Sequence, residues 1–229
     1  MKTSFNYIDE NYKKILSASG EAMAKYRRPD DELRIMAVTK TVPPEAVNYA
    51  ASRGLTLLGE NRVQEYLSKK ELYTPEAEVH FIGHLQSNKV KYIIDSIEMI
   101  QSVDSMRLAS EIDRHAANIG KKQKILVEVN IGGEDSKSGV KPDELENLLF
   151  EMAELKNISV CGLMTIPPAL GSEEFLFKMQ NLYIDISEKN IDNINMSVLS
   201  MGMSGDYPLA IKYGSNIIRI GSALFGARV

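Results

Sequence analysis

Short apolar runs rich in β-branched residues alternate along the chain with longer stretches whose apolar positions recur at helical spacing. The first pattern predicts buried strands, the second amphipathic helices laid over them. Strand segments fall at 34–40, 55–60, 78–84, 98–104, 124–130, 159–166, 195–202 and 216–221. Helical spacing fills the intervals at 43–54, 61–72, 86–95, 105–120, 141–156, 172–189 and 206–214, and a further helix spans roughly residues 4–27. Gly54, Gly120 and Gly214 close three of these helices, where a left-handed C-cap is expected. Eight strands alternating with helices, without a signature of double winding, predict the α/β class. The expected form is a parallel sheet closed into a single (β/α)8 TIM barrel with an extra N-terminal helix. An open doubly wound sheet is the alternative. No Gly/Ser linker, charge block or low-complexity tract marks a boundary, so residues 1–229 are expected to form one domain.

A barrel of this kind binds ligands at the C-terminal ends of its strands. Many of those ends are polar or glycine, whereas the run interiors are apolar. The segment Arg34 to Pro44, RIMAVTKTVPP, finishes a buried run on an amine, Lys40, just before two prolines. Such a lysine either surfaces at a strand end, with its stem on apolar surface, or reacts with something. Barrel closure makes the first and last strands neighbours, so Lys40 should lie beside RIGSALFG (219–226). There Arg219 and Gly221 point to the same face. SMGMSGD (200–206) and GSALFG (221–226) set small residues before helix starts, an arrangement that offers backbone N–H groups to an anion. Loops after strands seven and eight are the usual phosphate site of the fold. Arg219 pairing with a carboxylate, and glycines serving as turn punctuation, are the bland readings of the same residues. Their convergence on one rim favours a phosphate beside a lysine. No GxxxxGK[ST] or GxGxxG occurs, which disfavours a nucleotide.

Composition narrows the partners. Of 229 residues 44% are hydrophobic and 25% charged, and 31 acidic against 27 basic residues leave a net charge of -4. No basic excess is present to neutralise phosphates, which argues against nucleic acid. Cys161 is the single cysteine, which fits a reducing compartment, and it is expected to be a buried apolar group inside a strand. The charged N-terminus does not resemble a signal peptide, and no apolar run approaches the roughly 20 residues of a membrane span. A cytoplasmic protein is expected, with a monomer as the default state. His80 and His115 lack metal-ligand spacing, so no metal site is expected. The polar stretch GGEDSKSG (132–139) is expected at the rim as a solvated turn, with ligand contact or gating as the alternative.

Several motifs together resemble the pyridoxal 5'-phosphate (PLP) homeostasis protein family: AVTKTVP (37–43), GENRVQE (59–65), HFIGHLQSNK (80–89), SVDS (102–105), VNIGGEDSKSG (129–139), GLMTIPP (162–168), LSMGMSGD (199–206) and RIGSALFG (219–226). The likeness runs through nearly the whole sequence. It implies a barrel like that of alanine racemase and a covalent PLP aldimine on Lys40. Low-dielectric barrel walls disfavour a charged amine, leaving more of the nucleophilic neutral form. It further implies Arg219 at the pyridine nitrogen, where a permanent cation keeps that nitrogen unprotonated and the ring a poor electron sink. Gly221 and Ser222, with Ser200 to Ser204, match the phosphate cradle. Asn61, His84 and Met164 sit on matching strand ends and are expected to line the ring pocket, with a satisfied rim histidine as the other reading of His84.

Three functions are compatible with these residues. The first is a carrier that holds PLP on Lys40 for homeostasis or delivery to apo-enzymes, with no catalytic residues of its own. The second is a PLP-dependent racemase or decarboxylase. Such relatives use a further domain to complete the site, which is not expected here because the chain ends at Val229 just after the eighth strand's short helix. No proton donor for the opposite cofactor face is identifiable in the sequence either. The third, a cofactor-free Schiff-base aldolase, would leave Arg219 at the ring position unexplained.

Overall fold

The protein, seen here as a computed structural model, is described over residues 5–134, 136–168 and 170–226. The strands are β1 (Arg34–Val38), β2 (Leu57–Glu60), β3 (Glu78–Phe81), β4 (Met99–Val103), β5 (Gln123–Glu128), β6 (Ile158–Met164), β7 (Ile194–Ser200) and β8 (Ile217–Ile220). They pair in sequence order, all parallel, and the sheet closes where β1 meets β8, with Met36 opposite Arg219 and Ala37 opposite Ile220. The expected (β/α)8 barrel is therefore the observed one. The helices are α1 (Asn6–Tyr26), α2 (Pro44–Ser52), α3 (Val63–Lys69), α4 (Met106–Asn118), α5 (Leu145–Ala153), α6 (Ser172–Glu188), α7 (Tyr207–Lys212) and α8 (Ser222–Phe225).

Strand alternation sorts the core into two compartments. Ala37, Leu58, Phe81, Ile125, Val127, Leu163, Ile218 and Ile220 turn outward into one large cluster beneath the helices. Met36, Val38, Leu57, Ile82 and Ile217 pack inside the barrel, next to Met99, Leu126, Cys161 and Met164. Burying a side chain of this size contributes about 1.5–3 kcal/mol, so the outward cluster dominates the stabilisation. Cys161 is 9% exposed within the interior group, as expected of a small apolar residue.

The β6–β7 pair tolerates no side chain at Gly162. Its φ is +146°, and a Cβ there would lie 1.8 Å from the Val198 carbonyl oxygen, where the register shifts. Gly54, Gly120 and Gly214 take φ of +95°, +64° and +92°, as their C-cap positions require. α1 buries Ile8, Ile15, Ser19 and Ala22, a stripe at helical spacing, and packs against α7 and α8. Asn11 donates to the Leu224 carbonyl at 3.0 Å and Arg27 to the Ser215 carbonyl at 3.0 Å.

One expected helix differs. The 86–95 stretch is a 3₁₀ helix over Ser87–Tyr92 rather than an α-helix. In that tighter form residues three apart eclipse one another, which sends Val90 and Ile93 to the same buried face. The strands are also shorter than their apolar runs: β1 ends at Val38, and Lys40 lies beyond the last bond to β2, from the Thr39 N–H to the Gly59 carbonyl at 3.0 Å.

Candidate cofactor site

The C-terminal mouth of the barrel holds a cavity of about 310 Å³. Lys40 (just past β1), Asn61 (past β2) and Arg219 (on β8) face it, as do Gly221 and Ser222 at the start of α8 and Ser204 and Gly205 between β7 and α7. Val38, Ile82, Ile166 and Met203 supply apolar wall. An adjoining cavity of about 270 Å³ shares Val38, Lys40, Gly221 and Ser222 and adds Tyr7, Val42, Pro43 and Phe225. Lys40 therefore stands on the partition between two hollows.

The residues flanking Lys40 are held from behind. Thr39 donates its hydroxyl to Glu60 Oε1 at 2.7 Å, and Tyr73 hydrogen-bonds the same oxygen. Glu60 is fully buried, and burial raises its carboxyl above the usual range against the opposing pull of those two bonds. Thr41 sits at φ +63°, a left-handed conformation that costs energy for a β-branched residue. Its N–H donates to Glu65 Oε1 at 2.5 Å, and Lys69, ion-paired to the same Glu65, donates to the Thr39 carbonyl at 3.1 Å.

Arg219 is 3% exposed. Nη1 donates to Ser200 Oγ at 2.8 Å and Nη2 to the Thr165 carbonyl at 2.8 Å. Burial lowers its pKa to about 10, against the pull of Glu128 and Asp206, so it remains a cation at neutral pH. Glu128, 7% exposed at the end of β5, is pushed up to about 7, first by burial and then by Asp104, with Arg219 opposing. Ser204 Oγ accepts from the Ala223 N–H at 3.1 Å, which ties the β7–α7 loop to α8.

Six of the residues expected at the site thus share one cavity: Lys40, Asn61, Ser204, Arg219, Gly221 and Ser222. Three lie elsewhere. Ser200 is fully buried beneath Arg219, where its hydroxyl is spent on Arg219 and Gln101, so it supports the guanidinium rather than the cavity wall. Met164 is fully buried one interior layer deeper, among Met99, Leu126 and Cys161. Inward positions recur every second residue, and Ile166, two residues past the end of that strand, takes the rim place. His84 is exposed and lines a neighbouring hollow with Asn61, its Nδ1 3.4 Å from Ser138 Oγ. Alternation from Met164 was enough to find Ile166. Gln101, Thr165 and Glu128 carry no sequence signal, because their roles arise from partners on distant strands.

The 132–139 stretch is a turn closed by Asn130, whose Nδ2 donates to the Glu134 carbonyl at 2.8 Å; position 135 lies outside the described residues. Among the described residues, no cluster of three His, Cys, Asp or Glu is placed to hold a metal, and no helix is long and apolar enough to cross a membrane.

Known proteins share this fold. Residues 16–229 match the family model described as alanine racemase, N-terminal domain. A pyridoxal phosphate homeostasis protein from Aquifex aeolicus is 41% identical over 224 residues, covering 96% of this chain and 97% of the relative. The chain belongs to the pyridoxal phosphate homeostasis protein family. PipY of Synechococcus elongatus, solved with PLP bound, superposes with a TM-score of 0.79 at 31% identity, over 92% of this chain and all of PipY. Alanine racemase from Corynebacterium glutamicum gives a TM-score of 0.77 at 14% identity, over 98% of this chain and 62% of the racemase, which relates the two barrels by fold.

Proposed function

We propose that the protein holds pyridoxal 5'-phosphate in the cavity at the barrel mouth, as an aldimine on Lys40. On this reading it serves cytoplasmic PLP homeostasis and delivery to apo-enzymes, with no dedicated reaction. The observation that carries the reading is the lining itself: its two ionisable side chains are Lys40 and Arg219, and the opposing wall is apolar. Bound PLP supplies an aldehyde for an amine and a ring that can accept electrons. Lys40 is the amine. Arg219, clamped by Ser200 and Thr165 and still charged at neutral pH, meets the ring nitrogen and keeps it unprotonated, which weakens the ring as an electron sink.

The phosphate is assigned to Ser204, Gly205, Gly221 and Ser222. The fit there is specific to the cavity. The heavy atoms nearest a Cβ added at Gly221 belong to Val38, the first at 3.6 Å, so packing against them does not demand glycine; on this reading the open space takes the phosphate. A racemase reading needs a second proton-bearing group near Lys40. Tyr7, in the adjoining hollow, is the side chain that would have to provide it.

The test is the absorbance of the protein with PLP, before and after borohydride. A visible absorbance band that bleaches and leaves label on the Lys40 peptide is expected. Lys40→Ala should lack the band. Gly221→Ala should fold with wild-type stability and bind PLP weakly. Robust turnover across a panel of amino acids, abolished by Tyr7→Phe, would replace the carrier reading with an enzymatic one.

A further inference from the structure

Arg219 ends a hydrogen-bonded chain that crosses the barrel interior from the opposite rim. Arg219 Nη1 lies 2.8 Å from Ser200 Oγ, Ser200 Oγ 2.7 Å from Gln101 Oε1, Gln101 Nε2 2.9 Å from His80 Nδ1, and His80 Nε2 2.9 Å from Glu78 Oε1. Ser200, Gln101 and His80 are all 0% exposed, and the four inner residues come from β3, β4, β7 and β8. At the far rim Glu78 also accepts from Arg34 Nη2 at 2.6 Å.

The two ends dictate the proton arrangement between them. A guanidinium can only donate. Glu78, held down to about 2 chiefly by its His80 bond against the cost of burial, can only accept. The Ser200 hydroxyl must therefore donate a hydrogen bond to Gln101 Oε1, and the Gln101 amide must donate to His80 Nδ1. His80 is then neutral, with its proton on Nε2, in keeping with the lowering of its pKa by burial. A flipped Gln101 would strand the Ser200 proton and leave a bare His80 Nε2 facing a carboxylate. Every link points the same way. Two of the five guanidinium N–H groups are occupied by Ser200 and Thr165, which fixes the plane in which the rest meet the cavity.

We propose that Gln101 and His80 are positioning residues for Arg219, setting through Ser200 the orientation in which the guanidinium meets the ligand ring. This rests on the PLP reading above. The tautomer part can be tested without cofactor. Long-range ¹⁵N NMR of the unloaded protein, readily assigned with 3 histidines in the chain, should show His80 protonated at Nε2 and bare at Nδ1. A proton on Nδ1 would overturn the chain.

Gln101→Leu should weaken PLP about tenfold, the effect of losing one buried hydrogen bond, and shift the absorbance of the bound cofactor. Gln101→Glu still accepts from Ser200 and draws a second proton onto His80 Nδ1. It should bind PLP within about threefold of wild type, because the bond to Ser200 survives. Leu149→Ala, in the outward cluster on α5, controls for general loss of stability and should bind PLP normally. Wild-type affinity and spectrum in Gln101→Leu would overturn the positioning role. Failure of the unaltered protein to bind PLP would overturn the cofactor reading instead, and the tautomer measurement would still decide the chain.

Discussion

Glu128 shows how one carboxyl can report on its surroundings. Burial, aided by Asp104, raises its pKa to about 7, whereas in the unfolded chain it titrates near the ordinary 4.5. A proton held more tightly in the folded state stabilises that state. The contribution is complete below pH 4.5 and is lost as pH rises through 7. The difference between the two values corresponds to about 3 kcal/mol. Glu128→Gln removes the titration and keeps the shape. Urea unfolding at a series of pH values should find the variant gaining on wild type by about that amount between pH 4.5 and 9. A pH-independent gap would show that Glu128 titrates normally.

Among the elements, the β1–α2 connection matters most, because it presents Lys40. Its conformation is imposed from outside the barrel. Glu65 on α3 holds the Thr41 amide at a positive φ, Lys69 holds the Thr39 carbonyl, and Glu60 on β2 holds the Thr39 hydroxyl. None of the three holding side chains lines the cavity that Lys40 faces. Glu65→Ala should cost about 1–2 kcal/mol of stability through the lost amide bond and unpaired Lys69. It should also slow capture of PLP by Lys40, followed as growth of the bleachable band. Unchanged capture at reduced stability would confine Glu65 to a structural role. The contrast with β6–β7 is instructive: there Gly162 is required by the backbone of Val198, whereas a Cβ at Gly221 would make an ordinary contact with Val38 at 3.6 Å.

At the scale of the whole molecule, the barrel closes the site as well as the fold. Lys40 extends β1 and Arg219 lies on β8, so the first and last strands must pair before the cavity exists. A ligand spanning both loops binds the folded chain alone and stabilises it by mass action. PLP at about a hundred times its dissociation constant should add about 2.7 kcal/mol to unfolding. Lys40→Ala should forfeit most of that gain. Equal thermal shifts in both proteins would place PLP elsewhere.

The local pattern was enough for the elements and for part of the candidate site, the six expected residues that share one cavity. Strands and helices are written in periodicity, which depends on near neighbours, and their alternation in eight units leads to a closed barrel. Lys40, Arg219, Gly221 and Ser222 were legible because strand ends and glycine before a helix are features of short segments. What the chain order could not reveal was depth. Ser200 and Met164 end their strands inside the barrel, whereas His84 lies three residues past the end of β3, on the surface. The run from Glu78 through His80, Gln101 and Ser200 to Arg219 joins four strands across the interior and has no sequence period at all. Periodicity acts along the chain and so sets secondary structure; hydrogen-bond partnership acts across space, and only the closed tertiary fold decides it.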